Sequence, residues 1–526
     1  MGFVFGLLVV GVVLVVYSDG KGAGTVDFEV DGSRFDISLA SRTTMPICAP
    51  STQPIWYVIT FLIVIIIIII IIIFDPPIEL SSLTYTLPPH PGPIVRVAPN
   101  EIDVCNPKTV KSIYGTRETF RKTDWYQDFT TKGVETVFNT VDVGVHRRLR
   151  RLLAGPISDI SLRAYHDRID HWARRAVEKI RREMVDRGAA DVLKWFYFMA
   201  TDILGDVTFG QSPGMLERGQ KDEHSQYLEN AMRLSAWRSA FPRLTAVASI
   251  LPLPLFSDAQ KSTRELTRFA TRGLARRKSL VDDGTPPETI FRNLYQAQDR
   301  NEMSANEVRN EAELYFIAGG ETTANTLTFL VWAVCRHAKV QATLLSELRT
   351  LPVDGFDDSL VRRLPYLDQV VHETLRLYGA APSGLPRHVP AGGVELDGYW
   401  LAEGTTVCAQ AYTLHRDPDI FADPNKFDPA RWEEPSKAMR DAFMPFGKGT
   451  RSCLGIHLAM AELRMATARF FLAFPDARVS SLEGMSDDDM GEQNYFVMAP
   501  QGQRCLIEAA SVVSEKSRED LVKDNL

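Results

Sequence analysis

Paired cysteine motifs are missing from this chain of 526 residues. The absence of C-x-x-C spacing excludes the usual zinc-binding arrangements and a disulfide framework, and it indicates a reducing compartment. The six cysteines are Cys48, Cys105, Cys335, Cys408, Cys453 and Cys505. An excess of basic residues is missing too. The formal net charge is −7, so we expect no nucleic-acid partner.

Long linkers rich in glycine, serine or proline are also absent between residues 94 and 510. Length alone would suggest roughly three to four domains. Apolar and polar residues stay mixed throughout this region, however, which predicts one large, mainly helical domain. Residues 511–526 form a polar tail.

The amino-terminal region, residues 1–75, has the composition of a membrane anchor. Residues 56–74 are a continuous apolar run with nine successive isoleucines at 65–73, and as a helix this run would extend about 28 Å, close to the thickness of a bilayer core. Residues 3–17 form a shorter apolar run, which is either a second span or a signal sequence. A buried core helix is the alternative for both runs.

Two further segments have a distinct composition. Residues 18–54, between the two apolar runs, are polar and rich in Gly, Ser and Thr, which favours a loop. Residues 76–93 are rich in proline and predict a stiff hinge. The alternation that follows at residues 94–97 predicts a first β-strand.

A lone cysteine, Cys453, lies in a stretch suited to a reactive thiolate. Residues 446–455 read F-G-K-G-T-R-S-C-L-G, a glycine-flanked turn followed by a predicted helix. Backbone N–H groups and the positive end of the helix dipole stabilise a thiolate, and Phe446 can cover its sulfur. Gly449 and Gly455 allow close approach of a flat ligand. The alternative for a single cysteine is a buried structural residue.

Residues 318–323 read A-G-G-E-T-T within a predicted long helix, residues 311–337. A glycine pair costs a helix interior about 1–2 kcal/mol, which suggests backbone exposed beside a ligand. Thr322 could hold a water molecule through its hydroxyl, and Glu321 could relay protons. The alternative is a helix crossing whose threonine bonds to its own helix.

Two more helical patterns carry charge. Glu373 and Arg376 lie one turn apart in an E-x-x-R motif and can form a charge-assisted pair. Residues 145–152 form a basic helix on which His146 and Arg150 share one face. The other arginines of that helix are either a docking surface for an acidic electron donor or a solvated face.

These motifs carry a family resemblance. The pattern F-x-x-G-x-R-x-C-x-G at residues 446–455 resembles the haem-binding signature of the cytochrome P450 superfamily at every defined position, and A-G-x-E-T-T resembles its oxygen-activation segment. The resemblance implies the cytochrome P450 fold over residues 94–510, mainly α with small β-sheets, behind the membrane anchor. It also implies haem b with its iron ligated by Cys453.

The resemblance assigns further roles, and Phe446, Gly449 and Gly455 belong to the same haem-binding loop. Ligands of the haem propionates are implied at His146, Arg150, Arg387 and Arg451. A buried charge network without a chemical role is implied at Glu373, Arg376 and Arg431. Catalytic roles in proton delivery are implied at Glu321 and Thr322.

Pocket-lining segments are also implied, at residues 120–143, 315–317, 380–385 and 495–498. They are mainly apolar, which suits a hydrophobic substrate. The sequence has no flavin, iron–sulfur or dinucleotide-binding domain, so the implied partners are O2 and a membrane-bound NADPH-cytochrome P450 reductase. The motifs are similar to those of filamentous-fungal monooxygenases that oxidise polyketide or terpenoid intermediates. The implied location is the endoplasmic reticulum membrane, with the catalytic domain facing the cytosol.

Three alternatives remain open. One is an isomerase or dehydratase that uses the same haem without O2. The second is a haem-binding electron carrier or sensor, which would need a second axial His or Met. The third is an inactive relic, because relatives place a helical stretch between the proline hinge and the first strand that this chain lacks.

Overall fold

The computed structural model describes residues 25–30, 33–38 and 92–512, apart from 131–132, 221–233, 237, 243–244, 246–260, 262–263, 265–266, 269, 276–278, 280–287 and 353–354. The chain divides into two compact units, Met1–Asp75 and Pro76–Leu526. The apolar runs at 3–17 and 56–74, residues 76–91 of the hinge and residues 513–526 of the tail lie outside the described residues. Among the residues that are described, no helix is long and apolar enough to cross a membrane.

The first unit contains an antiparallel hairpin where the sequence favoured a loop. Strand β1 (Thr25–Val30) pairs with β2 (Ser33–Ser38), and Phe28 lies opposite Phe35. The loop prediction at 18–54 was therefore wrong for these residues. It weighed polar composition and overlooked the alternation of apolar residues around an Asp-Gly turn sequence, which is a strong hairpin signal.

The second unit is mainly helical. Its helices are α1 (Pro107–Ile113), α2 (Trp125–Phe129), α3 (Val143–Ala154), α4 (Asp159–Leu162), α5 (His166–Arg187), α6 (Val192–Phe209), α7 (Met215–Arg218), α8 (Arg292–Asp299), α9 (Ala305–Arg336), α10 (Ala338–Leu348), α11 (Asp358–Val361), α12 (Pro365–Tyr378), α13 (Ala411–His415), α14 (Lys437–Ala442) and α15 (Ile456–Ala473). The predicted helices at 145–152 and 311–337 are confirmed as α3 and α9.

Small sheets lie among these helices. Their strands are β3 (Ile94–Ala98), β4 (Glu101–Val104), β5 (Arg121–Lys122), β6 (Ala190–Asp191), β7 (Arg387–His388), β8 (Val394–Leu396), β9 (Tyr399–Leu401), β10 (Thr406–Cys408), β11 (Ala477–Val479), β12 (Glu492–Tyr495), β13 (Val497–Pro500) and β14 (Leu506–Ala509). One sheet has the order β3-β4-β10-β7-β5 and another β11-β14-β6, while β8-β9 and β12-β13 are hairpins. The predicted strand at 94–97 is confirmed as β3.

Helix α9 is the central element of the core. It begins with a capping box in which the Glu307 amide donates to Ser304 Oγ and the Ser304 amide donates to the Glu307 carboxylate. Its widest contact is with α6, and α12 and α15 also pack against it. These neighbours bury most of its C-terminal half, so α9 is held rigidly through the middle of the domain.

Candidate active site

The cysteine loop is held by backbone hydrogen bonds and contains two left-handed glycines. The Cys453 amide donates to the Phe446 carbonyl at 2.8 Å, which closes the loop just before α15. Gly447 and Gly449 both have φ of +66°. A Cβ at Gly449 would lie 1.9 Å from the Tyr114 carbonyl oxygen, so only glycine fits there. At Gly455 a Cβ would lie 3.8 Å from Cys453 Sγ, which is an ordinary van der Waals distance.

Opposing influences act on the Cys453 thiol. Burial raises its pKa, while the backbone N–H groups of Gly455 and Ile456 and the charge of Arg150 act to lower it. The side chain lies deep in the domain, yet it is exposed to solvent. The start of α15 thus offers the N–H donors that a thiolate ligand needs.

Arg150 and His146 lie near this loop on α3. Arg150 donates to the Ser452 carbonyl at 2.8 Å and to Ser452 Oγ at 3.2 Å, directly beside Cys453. His146 is 2% exposed, and its Nδ1 has no hydrogen-bond partner although Glu118 Oε1 lies 3.6 Å away. Burial, followed by the charge of Arg451, lowers the pKa of His146 to about 4, so its ring is neutral.

A cleft rich in cations adjoins α3. Arg451 donates from Nε to Glu118 Oε1 at 2.9 Å and from Nη1 to the Thr140 carbonyl at 2.9 Å. Arg387 donates to the Tyr126 hydroxyl at 2.7 Å. The cleft lining includes Arg121, Lys122, Arg387, Lys448 and Arg451, but Glu118 is its one carboxylate. Such an excess of positive charge suits anionic groups.

Lys122 is a member of this cleft that the sequence motifs did not reveal. Its ammonium donates to the Phe138 carbonyl and lies 3.9 Å from the Tyr126 ring centroid. Burial, together with the charges of Arg387 and Arg451, holds its pKa well below the usual range. Among the described residues it has no carboxylate within ion-pair distance. The only sequence signal was the charged pair Arg121-Lys122 next to the aromatic residues Phe120, Trp125 and Tyr126.

The residues of the predicted charge network meet around Glu373, and Arg431 lies at the partly buried edge of the network. The Glu373 carboxylate accepts two hydrogen bonds of 2.8 Å from Arg376 Nε and Nη2. It accepts a third, of 3.0 Å, from Arg431 Nε. The Asp428 amide and the Trp432 indole N–H also donate to it, each at 2.9 Å. Glu373 and Arg376 are 0% and 1% exposed. All five donors converge on one carboxylate, so this segment is rigidly fixed.

The A-G-G-E-T-T segment lies in unbroken helix. A Cβ at Gly319 would come within 2.6 Å of Leu204 on α6, and one at Gly320 within 3.3 Å of Thr201. The glycine pair therefore permits a close helix crossing, as the structural alternative proposed. Thr322 Oγ1 donates to the Ala318 carbonyl at 2.6 Å, and Ala318 itself is exposed in the middle of α9. Glu321 is partly buried.

Aromatic side chains from separate segments converge on one cluster. Trp125, Phe129 and Phe138 meet Phe496, with ring centroids of Phe129 and Phe496 4.7 Å apart. Ile317, Ala380 and Val497 complete this aromatic cluster, so it contains members of all four predicted pocket segments. Phe496 has φ of +80°, a conformation that an aromatic residue rarely adopts. Such strain is typical of functional sites.

The comparisons with known proteins agree with this architecture. Residues 75–506 match the family model described as Cytochrome P450. The chain therefore belongs to the cytochrome P450 family and is a P450 monooxygenase. The family and the fold imply a haem ligated by a cysteine thiolate.

Similar proteins come from fungi. The chain is 42% identical over 421 residues to cytochrome P450 monooxygenase tazI of Aspergillus terreus, covering 79% of this chain and 86% of that protein. It is 33% identical over 427 residues to cytochrome P450 monooxygenase stcB of Emericella nidulans, covering 79% and 81%. A crystal structure of the cytochrome P450DA heme domain superposes with a TM-score of 0.64 at 19% identity, covering 78% of this chain and 88% of that one, which shows the shared fold.

Proposed function

We propose that this protein is a haem-thiolate monooxygenase in which Cys453 ligates the iron of haem b. The observation that carries the proposal is the exposed Cys453 thiol just before α15, where two backbone N–H groups and Arg150 favour the thiolate. A thiolate-ligated haem supplies the O2 chemistry that inserts one oxygen atom into an unreactive carbon and releases the other as water.

The cation-rich cleft fits the acidic edge of that cofactor. Arg387, Arg451 and Lys122 provide more positive charge than Glu118 balances, and His146 adds a ring nitrogen without a partner. The two haem propionates would supply the missing negative charge. Gly449 lets the loop pack directly on the Tyr114 backbone, and Phe446 fixes the Cys453 amide through its carbonyl.

The distal residues are proposed to handle protons and exclude water. The Thr322 hydroxyl donates a hydrogen bond to the Ala318 carbonyl. The hydroxyl oxygen can still accept a hydrogen bond from a water molecule. Glu321, at the preceding position of the helix, is assigned the exchange of protons with solvent. The aromatic cluster keeps bulk water away and favours a hydrophobic substrate.

The substrate class and the partners are proposed by analogy with the relatives. They are fungal P450 monooxygenases, which supports oxidation of a secondary metabolite such as a polyketide or terpenoid intermediate. Electrons would come from an NADPH-cytochrome P450 reductase, for which exposed Arg147 on α3 is a contact candidate. The apolar residues 56–74 support anchoring in the endoplasmic reticulum membrane with the domain on the cytosolic side.

The first test is the reduced carbon-monoxide difference spectrum of the full chain in microsomes. We expect a thiolate-type Soret band in the wild type and in Cys105→Ser, and its loss in Cys453→Ser. The same band in Cys453→Ser would refute the ligand assignment. Absence of the band in the wild type would favour the inactive relic.

A second test separates monooxygenase from isomerase or dehydratase. With a hydrophobic substrate bound, Thr322→Ala should release more hydrogen peroxide per NADPH consumed, because the hydroxyl that holds water is lost. Thr326→Ala is the matched control, since its hydroxyl bonds to its own helix in the same way one turn further on. Turnover without O2 or NADPH would instead establish the isomerase or dehydratase.

A further inference from the structure

The Arg238 side chain is half-buried, and only its Nη2 donates hydrogen bonds among the described residues. Its Nη2 donates to the Phe129 carbonyl at 3.4 Å and to Ser235 Oγ at 3.2 Å. Its Nε is buried and has no hydrogen-bond partner among the described residues. Burial lowers the pKa of Arg238, and the negative charge of Asp128, which forms no ion pair with it, acts to raise that pKa. No carboxylate among the described residues lies within ion-pair distance of it.

The position of Arg238 relates it to the aromatic cluster. Phe129, whose carbonyl it contacts, is the last residue of α2 and a central ring of that cluster. A ligand that covers the rings of Phe129 and Phe496 would therefore end close to the guanidinium. Arg238 lies in helical residues 238–240, on a segment separate from α2. The fold thus brings the charge to the backbone of a residue whose ring belongs to the cluster.

Capping of α2 does not account for this arrangement. A capping arginine would make short bonds to the last carbonyls, whereas the single carbonyl contact here is long and comes from one nitrogen. An arginine has five N–H donors in a planar fork that matches a carboxylate. The donors that remain unused are the ones that a bound anion would occupy.

We infer that Arg238 anchors an anionic oxygen group, a carboxylate or an acidic enol, on an otherwise apolar and aromatic substrate. This inference rests on the proposed function, because it assigns a substrate class to the same pocket. The aromatic cluster takes the flat body of the substrate. Arg238 takes its acidic end and fixes which part of the body is oxidised.

The test is a comparison of two probes, 2-naphthoate and the neutral 2-naphthamide, by equilibrium dialysis with the full-length protein. The wild type should bind the naphthoate about tenfold more tightly, as one charge-assisted contact provides. Arg238→Gln should remove that preference and leave amide binding within about twofold. Arg238→Lys should keep part of it, since it retains charge without the fork. Arg300→Gln, an exposed arginine paired with Glu302, should match the wild type.

Equal binding of the two probes by the wild type would overturn the inference, as would equal losses for both probes in Arg238→Gln. The wild-type comparison stands even where Arg238→Gln fails to fold. Dialysis does not depend on the thiolate. A missing Soret band with a retained preference for naphthoate would therefore refute the proposed function alone, and a normal band without the preference would refute the role of Arg238 alone.

Discussion

Nε2 of His415 accepts a hydrogen bond from the Met444 amide at 2.9 Å. Nδ1 of the same ring lies 2.9 Å from the Arg376 carbonyl and must therefore be the protonated nitrogen that donates to it. Burial lowers the pKa of His415 to about 3, so the ring stays neutral and keeps this tautomer. His415 thus joins the E-x-x-R helix to the entrance of the cysteine loop.

His415→Ala should destabilise the domain and reduce its haem content. The substitution leaves the buried Met444 N–H and the Arg376 carbonyl without partners, at about 1–3 kcal/mol each. We expect a lower Tm and less haem per protein, measured by the Soret absorbance of purified samples. His171→Ala removes an exposed ring and should leave both quantities unchanged. A full haem complement in His415→Ala would show that the link is dispensable.

Glu373→Ala should be more damaging than Arg431→Lys. Removing the carboxylate leaves Arg376 buried without a counter-charge, which costs about 3–5 kcal/mol. Arg431 makes a single hydrogen bond to Glu373 from an edge position, and lysine would keep its charge there. Haem content and urea unfolding of the two variants measure the difference. Comparable stability for both would contradict a network centred on Glu373.

The sequence predicted the parts of the site that depend on local spacing. Glu373 and Arg376 meet because they are one helical turn apart, and the glycines around Cys453 shape a single turn. Helix α3 and strand β3 followed from the local residue pattern in the same way, and helix α9 followed from composition.

The remaining features depend on contacts between distant segments. Arg150 meets Ser452 across 302 positions of the chain, and His415 meets Met444 only because α13 folds against the loop. Glycine is needed at position 319 because Leu204, on another helix, packs directly against it. Lys122 gave no motif at all, because its significance comes from Arg387 and Arg451 beside it. No local pattern encodes such neighbours.

Lys122→Met should have opposite effects on the haem-free and the haem-bound protein. Without the cofactor, the substitution removes a buried cation beside Arg387 and Arg451 and should stabilise the chain by about 1–3 kcal/mol. With the cofactor, it removes the proposed propionate partner, so haem should transfer to apomyoglobin about tenfold faster. Lys108→Met, at an exposed position, is the control for both measurements. Faster transfer together with a less stable haem-free chain would point to a packing defect instead.

Glu311 should make the stability of the domain fall as pH rises through neutrality. This carboxyl is 1% exposed, accepts a hydrogen bond from the Val137 amide at 2.7 Å, and has no partner at Oε2. Burial raises its pKa to about 8 from 4.5, although the Val137 amide and Arg148 on α3 act to lower it and Glu307 on α9 acts to raise it. Between these two pKa values the folded state keeps a proton that the unfolded state has lost. The free energy of unfolding then decreases by up to about 1.4 kcal/mol per pH unit, and above pH 8 the contribution is constant. Glu311→Gln keeps the acceptor for the Val137 amide and abolishes the titration.

Urea unfolding at pH 5.5 and 7.5 tests this prediction. Between the two pH values, the wild type should lose about 2–3 kcal/mol more free energy of unfolding than Glu311→Gln. The exposed variant Glu395→Gln should behave like the wild type. Parallel pH profiles for the wild type and Glu311→Gln would mean that Glu311 is already ionised in the folded protein.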